Sequence, residues 1–453
     1  MLKNNSLTEG PIAKSIVLFA LPILISNIFQ QLYNSIDTAV VGQYVGAAAL
    51  AAVGSTASLI NLLIGFFLGI ATGTGVLFAL RYGAGDKPGL KKLIDSSLVI
   101  GVIAGLFITL VGIVFCRPLL ILMNTPDDVL PLAVTYLQLY FIGNVANMIY
   151  NIGSGIIRAE GDSSRPLLYL FISGMTNLVL DLTMVAVFHT GVVGAAVATV
   201  IAQVLSAVLV MIRLMRMDPE YRFRFSDIRV DRETVMDIIR IAIPCGLQGS
   251  MFNISNLLVQ VKINSFGTVA MAGITAYTKI DCFGYTSTNA LGLALSTYVG
   301  QNVGAGNYPR IQKGIRLGMT IAVCMSLCIT VIILLSCRPL LRLFTADPDA
   351  QAIGYQMMWY MIPFTWLLTF MDILGGSIRG AGQATAVTVI SALCICAFRV
   401  IWLIIMLHFF NDLRIVFLCY PLSWFLNAVV MTIFYFKGSK LRKDIKAACS
   451  TAA

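Results

Sequence analysis

CRPLL at residues 116–120 recurs letter for letter at residues 337–341, a displacement of 221 residues from Arg117 to Arg338. Two further pairs of blocks keep this displacement: Gly83-Ala84-Gly85 with Gly304-Ala305-Gly306, and Ile157-Arg158-x-x-Gly161 with Ile378-Arg379-x-x-Gly382. Pro22 and Pro244 match with one residue of slippage. Several blocks in one register predict two sequence-related halves.

The sequence around these blocks is too apolar for a soluble domain, because 58% of its 453 residues are hydrophobic and only 11% are charged. Many runs exceed the roughly 20 residues that cross a bilayer, and they are too long for barrel strands. Inside a membrane, such runs satisfy their backbone hydrogen bonds as helices. We therefore predict an all-α polytopic membrane protein with twelve spans, at 15–37, 49–79, 93–116, 130–153, 166–188, 192–213, 236–262, 270–298, 314–336, 353–376, 386–408 and 415–436.

The repeat also predicts the arrangement of the spans. Six spans separate equivalent positions, so both halves enter the membrane from the same side and form two parallel-repeat six-helix bundles. The predicted segments are an N-terminal lobe at 1–214, a cytoplasmic linker at 215–237, a C-terminal lobe at 238–436 and a basic cytoplasmic tail at 437–453.

The net charge of +10 is explained by membrane topology. With an even number of spans, both termini lie on one side, and placing that side in the cytoplasm collects most of the 31 basic residues there, as the positive-inside rule requires. Nucleic-acid binding is therefore not expected. The Gly-Ala-Gly blocks lack the features of a phosphate-binding loop, and we expect them to be tight turns in which Gly adopts a positive φ.

Acidic residues inside the spans indicate function, since a charge at the bilayer centre costs about 2.5–3.5 kcal/mol on insertion scales. Asp37 lies in the first span and Asp181 in the fifth. Asn177 shares a helix face with Asp181 at i, i+4, and Thr199 follows in the sixth span. Together these four residues predict an oxygen-rich pocket for Na⁺, or for H⁺ because two close carboxylates cannot both stay ionised. The alternative is that each Asp bonds a helix end or amide and binds nothing.

The second half provides a comparison for this pocket. None of its equivalent residues is acidic: Leu258 or Val259 corresponds to Asp37, Phe398 to Asn177, Trp402 to Asp181 and Tyr420 to Thr199. The loss of these groups from one half indicates that the other half is specialised for coupling.

Four other charged residues lie within the spans, namely Lys279, Asp281, Asp372 and Arg399. We expect Asp281 or Asp372 to pair with Arg399 or Lys279, because unpaired charges are costly there. The ten cysteines show no Cys-x-x-Cys spacing, so neither a metal centre nor a cofactor is predicted beyond the coupling cation.

These motifs resemble the multidrug and toxic compound extrusion (MATE) family, most closely its DinF-like branch. The resemblance rests on Pro22 and Asp37, Asn177-x-x-x-Asp181, Thr199 and Gln301-Asn302-Val303-Gly304-Ala305-Gly306. It implies a V-shaped pair of lobes, a cation site at Asp37, Asn177, Asp181 and Thr199, and a bend of the first helix at Pro22. The NorM-like branch is similar but carries an acid where this chain has Phe252.

The predicted function is export of small organic, cationic or amphipathic compounds in exchange for H⁺ or Na⁺, by alternating access, in a bacterial plasma membrane. We expect a monomer whose partners are its small-molecule substrate and the lipid bilayer. A flippase of related fold for lipid-linked oligosaccharides or other lipids is the alternative, although a flippase for lipid-linked sugars would need a basic lateral cavity. An intramembrane enzyme is not favoured, because no nucleophile–base pair or metal motif is present.

Overall fold

Every regular element in the described chain is helical, which confirms the predicted fold class. The computed structural model describes residues 7–123, 125–345, 347–410 and 412–451. Its α-helices are α1 (Ile12–Tyr44), α2 (Ala47–Gly83), α3 (Lys87–Leu122), α4 (Leu130–Ile142), α5 (Asn144–Glu160), α6 (Ser164–Asp181), α7 (Gly191–Met215), α8 (Arg232–Asn264), α9 (Thr268–Gly304), α10 (Tyr308–Leu335), α11 (Cys337–Phe344), α12 (Pro348–Met361), α13 (Leu368–Gly380), α14 (Ala384–Ser391), α15 (Phe398–Phe409), α16 (Leu413–Ile433) and α17 (Lys440–Thr451).

The helices account for the predicted spans, although the count of twelve stays a prediction. Ten helical segments of the described residues are long and apolar enough to cross a membrane. The pair α4 and α5, bent by 48°, makes an eleventh if counted as one span. The eighth predicted span, 270–298, lies within α9, a helix of 37 residues.

Several spans contain a local change of helix type. A 3₁₀ turn, Ile362–Leu367, separates α12 from α13 at Pro363, which has no N–H to donate. Thr330 and Thr365 donate their hydroxyls to the carbonyl of Ile362 at 3.2 and 2.9 Å. These bonds satisfy a backbone acceptor where the helix is irregular, as a membrane interior requires.

The repeat predicted from the sequence is visible in the backbone. Gly85 and Gly306 end their Gly-Ala-Gly blocks with φ of 69° and 70°, which confirms the predicted tight turns. In each turn the Gly N–H bonds a carbonyl three residues earlier, at 3.1 Å. The CRPLL blocks differ in context, since the first lies inside α3 and the second forms the separate helix α11.

A second matched feature is a close helix contact. An added Cβ on Gly155 of α5 would lie 2.5 Å from the carbonyl oxygen of Ala71 in α2. In the other half, a Cβ on Gly376 of α13 would lie 2.4 Å from the carbonyl oxygen of Gly292 in α9. At the displacement of 221, Gly155 corresponds to Gly376 and Ala71 corresponds to Gly292. The repeat therefore preserves a close approach of two helix backbones, which small residues allow in membrane helix packing.

The helices pack into two units. One comprises Ile25–Gly246, and the other comprises the described residues before Ile25 together with those from Leu247 onward. The division cuts α1 just after Pro22 and α8 just after Pro244, so each of these helices contributes to both units. These units are defined by packing, and the lobe limits in chain order stay a prediction.

The predicted linker is attached to the first unit. The backbone N–H of Arg229 bonds Asp95 at 2.9 Å, and the hydroxyl of Tyr221 bonds Glu160 at 3.0 Å. The predicted tail forms α17, whose Leu441 and Ile445 are buried in the core of the second unit. Both polar segments are therefore packed against helices.

Candidate functional site

The four residues predicted to bind the coupling cation come from three helices of one packing unit. Asp37 lies on α1, Asn177 and Asp181 lie near the end of α6, and Thr199 lies on α7. Asn177, Asp181 and Thr199 are buried, while Asp37 is partly buried. The structure thus brings together residues that are up to 162 positions apart in the sequence.

A change of helix type positions Asp181. It is the last residue of α6, and the chain continues as a π-helical turn, Leu182–Val187. π-helical turns are rare in proteins overall, but those that occur are frequently found at functional sites. A π turn shifts the helical register and changes the direction in which backbone groups point. The helix thus changes from α to π geometry immediately after Asp181, while Asn177 lies one regular α-helical turn before Asp181.

The carboxyl groups of Asp37 and Asp181 lie within hydrogen-bonding reach of each other. An ionised carboxylate only accepts hydrogen bonds, so a bond between two carboxyl groups requires a proton on one of them. The Oδ1 atom of each residue is buried without a hydrogen-bond partner among the described residues. Buried acceptors without donors are uncommon in proteins, and here they match the needs of a proton or a monovalent cation.

Asn177 joins the carboxylate to α7. With its amide oriented to match its neighbours, its nitrogen donates to Asp181 Oδ2 at 3.3 Å, and its oxygen accepts from the backbone N–H of Thr199 at 3.3 Å. The hydroxyl of Thr199 donates to the carbonyl of Ala195 at 3.0 Å. That hydroxyl oxygen keeps lone pairs, so Thr199 remains an oxygen donor for a cation.

Three tyrosines near the carboxyl pair were missed from the sequence. Tyr33, Tyr136 and Tyr140 all lie within electrostatic range of Asp37. Tyr33 is one turn before Asp37 on α1, a spacing that was visible in the sequence. Tyr136 and Tyr140 belong to α4, and only the tertiary fold brings that helix to the site.

The second half has aromatic residues where the first half has this site. The rings of Phe398 and Trp402, which correspond to Asn177 and Asp181, are stacked with centroids 5.9 Å apart. The indole N–H of Trp402 donates to the carbonyl of Ile415 at 3.1 Å. Packed rings replace the polar pair, so the asymmetry seen in the sequence extends to the structure.

The structure does not form the ion pairs expected within the spans. None of the described ion pairs joins Lys279, Asp281, Asp372 or Arg399 to one another. The buried Arg399 instead donates to Ser423 Oγ and Asn256 Oδ1, each at 3.0 Å.

Around Arg399, neutral groups take the place of the expected carboxylate. The guanidinium of Arg399 lies 4.3 Å from the ring centroid of Tyr420, a cation–π contact. Asp372 lies near Thr288 and Tyr285, with Arg379 in electrostatic range, whereas Lys279 is exposed. A hydroxyl, an amide and an aromatic face accommodate Arg399, and sequence spacing alone does not distinguish these partners from a carboxylate.

Within the described residues, no group of three or more His, Cys, Asp or Glu side chains is placed to hold a metal ion. The candidate site consists of two carboxyl groups, one amide and one hydroxyl, with tyrosines around them. Such a set can exchange a proton or bind a monovalent cation through oxygen atoms.

Comparison with known proteins gives one family. The family model described as MatE matches residues 22–183 and 244–405, which are the two halves of the repeat. A curated relative, the probable multidrug resistance protein YpnP of Bacillus subtilis, is 29% identical over 401 residues, covering 88% of this chain and 89% of its own length.

Solved structures show the same fold over the whole chain. One is an outward-facing conformation of a multidrug resistance MATE family transporter of the MOP superfamily, with a TM-score of 0.89, 25% identity and 99% of both chains covered. Another is a MOP superfamily transporter from Pyrococcus furiosus, whose structure was described as having a reversed polarity of its binding pocket that suggests a different function. Its TM-score is 0.89, with 25% identity and 98% of both chains covered.

Proposed function

Because this chain belongs to the MatE family of multidrug and toxic compound extrusion transporters, we propose that it exports small organic compounds in exchange for a coupling cation, H⁺ or Na⁺. It is a drug efflux transporter and not an enzyme, and it is a multi-pass protein of the cell membrane. The proposal adds the coupling ion, the site and the transport cycle to that assignment.

The observation that carries the proposal is the proximity of the Asp37 and Asp181 carboxyl groups, which lie within hydrogen-bonding reach of each other. Two carboxyl groups in a membrane-spanning region are costly unless protonated, paired or bound to a cation. Asn177 and Thr199 complete the oxygen set, since one contacts Asp181 and the other follows on the next helix. The site therefore binds the coupling ion, and its occupancy changes the charge of the carboxyl pair.

In the proposed cycle, a proton or Na⁺ enters from outside and neutralises the pair in the outward-facing state. α1 then changes its bend at Pro22, where the helix lacks one backbone hydrogen bond. The bend reshapes the cavity and releases the substrate outward, and return of the cation inward resets the transporter. We place both termini in the cytoplasm, because that orientation satisfies the positive-inside rule.

The driving force limits what one cation can do. A single charge moving through about 100 mV gains about 2.3 kcal/mol. Since about 1.4 kcal/mol is tenfold in concentration, one charge supports less than a hundredfold substrate ratio. Stronger accumulation requires an ion concentration gradient or more than one ion in each cycle.

The alternative is a flippase of related fold that moves lipid-linked oligosaccharides. One observation bears on an anionic substrate: Arg399 contacts neutral groups among the described residues, but it is buried, so a phosphate or carboxylate would reach its guanidinium only if neighbouring side chains moved. Against it, Arg399 is a single cation, and a pyrophosphate-linked lipid would require a broader basic surface.

The test is transport in proteoliposomes with imposed gradients of H⁺ or Na⁺. A fluorescent organic cation such as ethidium is loaded, and its movement is followed under each gradient. Movement that requires one gradient names the ion and supports antiport. Transport of a lipid-linked oligosaccharide without any effect of either gradient would support the flippase.

A further inference from the structure

α1 belongs to both packing units, and the residue that carries its coupling chemistry lies in only one of them. Its first part, up to Leu24, packs in the second unit, while Ile25 and the rest, including Asp37, pack in the first. Ile16, Phe19 and Ile23 are buried in the core of the second unit. One continuous helix thus begins in one core and carries a carboxylate into the other.

The residues just before α1 are anchored through their backbone. The N–H of Leu7 donates to Gln301 Oε1 at 3.0 Å, and the carbonyl of Leu7 accepts from Asn302 Nδ2 at 3.2 Å. Gln301 and Asn302 are fully buried near the end of α9, and Leu7 is buried as well. Two adjacent side chains therefore hold both backbone polar groups of one buried residue, Leu7, away from solvent, where the low local dielectric strengthens hydrogen bonds.

Arg310 on α10 makes a second attachment. Its Nη2 donates to the carbonyl of Glu9 at 2.7 Å and approaches the carbonyl of Leu7 at 3.4 Å. Tyr298 donates its hydroxyl to the carbonyl of Arg310 at 2.9 Å, and its ring lies 5.9 Å from the guanidinium. The start of α1 is thus held from two helices.

We propose that Gln301, Asn302 and Arg310 are positioning residues for coupling, which hold the start of α1 so that a change at Asp37 is transmitted to the second unit. This inference rests on the proposed function. A helix transmits bending between two points only when both ends are fixed, because a free end moves instead of the structure it touches. Asp37 lies beside Asp181 of α6 in the far part of α1, and the Gln301–Asn302–Arg310 anchor fixes the start of that helix.

The repeat contains a matched control. α8 is the equivalent of α1, with Pro244 in place of Pro22, and its start packs in the first unit. Arg81, which corresponds to Asn302, holds that start through Asp237 at 3.2 Å and Thr234 at 3.4 Å. The far part of α8, however, carries an apolar residue where α1 has Asp37. The α8 anchor thus resembles the α1 anchor but serves no coupling carboxylate.

Hydrogen–deuterium exchange on the full-length protein in lipid nanodiscs tests the proposal without a transport assay. The Asp37→Asn substitution imitates a neutralised carboxylate, and it is made in the wild-type, Asn302→Ala and Arg81→Gln backgrounds. In the wild-type background, we expect it to change exchange in peptides of α9 and α10 by at least about twofold. The change should disappear in the Asn302→Ala background and persist in the Arg81→Gln background.

Three results would overturn the proposal. The first is that Asp37→Asn changes hydrogen exchange in α9 and α10 equally with and without Asn302. The second is that Asp37→Asn causes no change in exchange in the wild-type background. The third is that the change is lost in the Arg81→Gln background as fully as in the Asn302→Ala background. If Asn302→Ala does not fold, Arg310→Gln removes the attachment to Glu9 and is tested in the same way. Failure of the proposed function has a different result, because wild-type proteoliposomes would then show no gradient-driven movement of ethidium.

Discussion

The carboxyl groups of Asp37 on α1 and Asp181 at the end of α6 lie within hydrogen-bonding reach of each other, although 144 positions separate them in the sequence. Each also has a buried Oδ1 atom without a hydrogen-bond partner among the described residues. The pair is therefore complete only when a proton or cation joins it.

Replacement of either carboxylate should remove coupling. In Asp37→Asn and Asp181→Asn, the amide cannot release a proton or balance the charge of a cation, so gradient-driven efflux of ethidium from proteoliposomes should fall to background. The matched control is Asp281→Asn, which changes another intramembrane acid and should keep most of the efflux. Wild-type rates in both site variants would show that coupling takes place elsewhere.

Loss of the Asn177 amide should weaken the site without abolishing it. Asn177→Ala removes a hydrogen bond to the Asp181 carboxylate, and bonds to charged groups contribute about 1.5–3 kcal/mol. We expect the coupling-ion concentration for half-maximal efflux to rise about tenfold or more.

The control for this measurement is Thr176→Ala. It alters the adjacent residue, whose exposed hydroxyl donates to the carbonyl of Ile172 in its own helix. An unchanged ion dependence in Asn177→Ala would mean that the amide only supports packing.

The two equivalent glycine contacts should tolerate no large side chain. Gly155→Leu and Gly376→Leu each force a side chain against a facing backbone carbonyl, and overpacking of a core costs about 1–3 kcal/mol or more. We expect both variants to lower the Tm of the detergent-solubilised protein. Gly54→Leu is the control, because nothing lies within 4 Å of an added Cβ there. Equal Tm values for all three variants would contradict the close approach.

Arg399 and Asp281 should be energetically independent. Because Arg399 contacts an amide, a hydroxyl and an aromatic ring, Arg399→Met leaves no buried carboxylate unpaired. In a double-mutant cycle with Asp281→Asn, the coupling energy in the free energy of unfolding should lie below about 0.5 kcal/mol, whereas residues in one ion pair couple by about 0.5–3 kcal/mol. A larger value would restore the ion pair that the sequence suggested.

The fold class could be read from the sequence because membrane burial leaves few choices. Long apolar runs such as 93–116 must be helical, and the recurrence of CRPLL fixes two halves whose equivalent turns have the same positive-φ glycines. Local breaks were not predicted. The bend between α4 and α5, the 3₁₀ turn at Pro363 and the π turn after Asp181 depend on how neighbouring helices satisfy backbone groups.

The sequence by itself determined which polar residues have a high free energy of insertion into a membrane, since that free energy depends on residue type and depth. It also showed which of these residues are absent from the second half. It thus identified Asp37, Asn177, Asp181 and Thr199 as candidates. Only the tertiary structure decided which side chains meet, because packing between helices has no sequence periodicity. The tertiary structure added Tyr136 and Tyr140 to the site and gave Arg399 neutral partners. It also divided both α1 and α8 between two packing units.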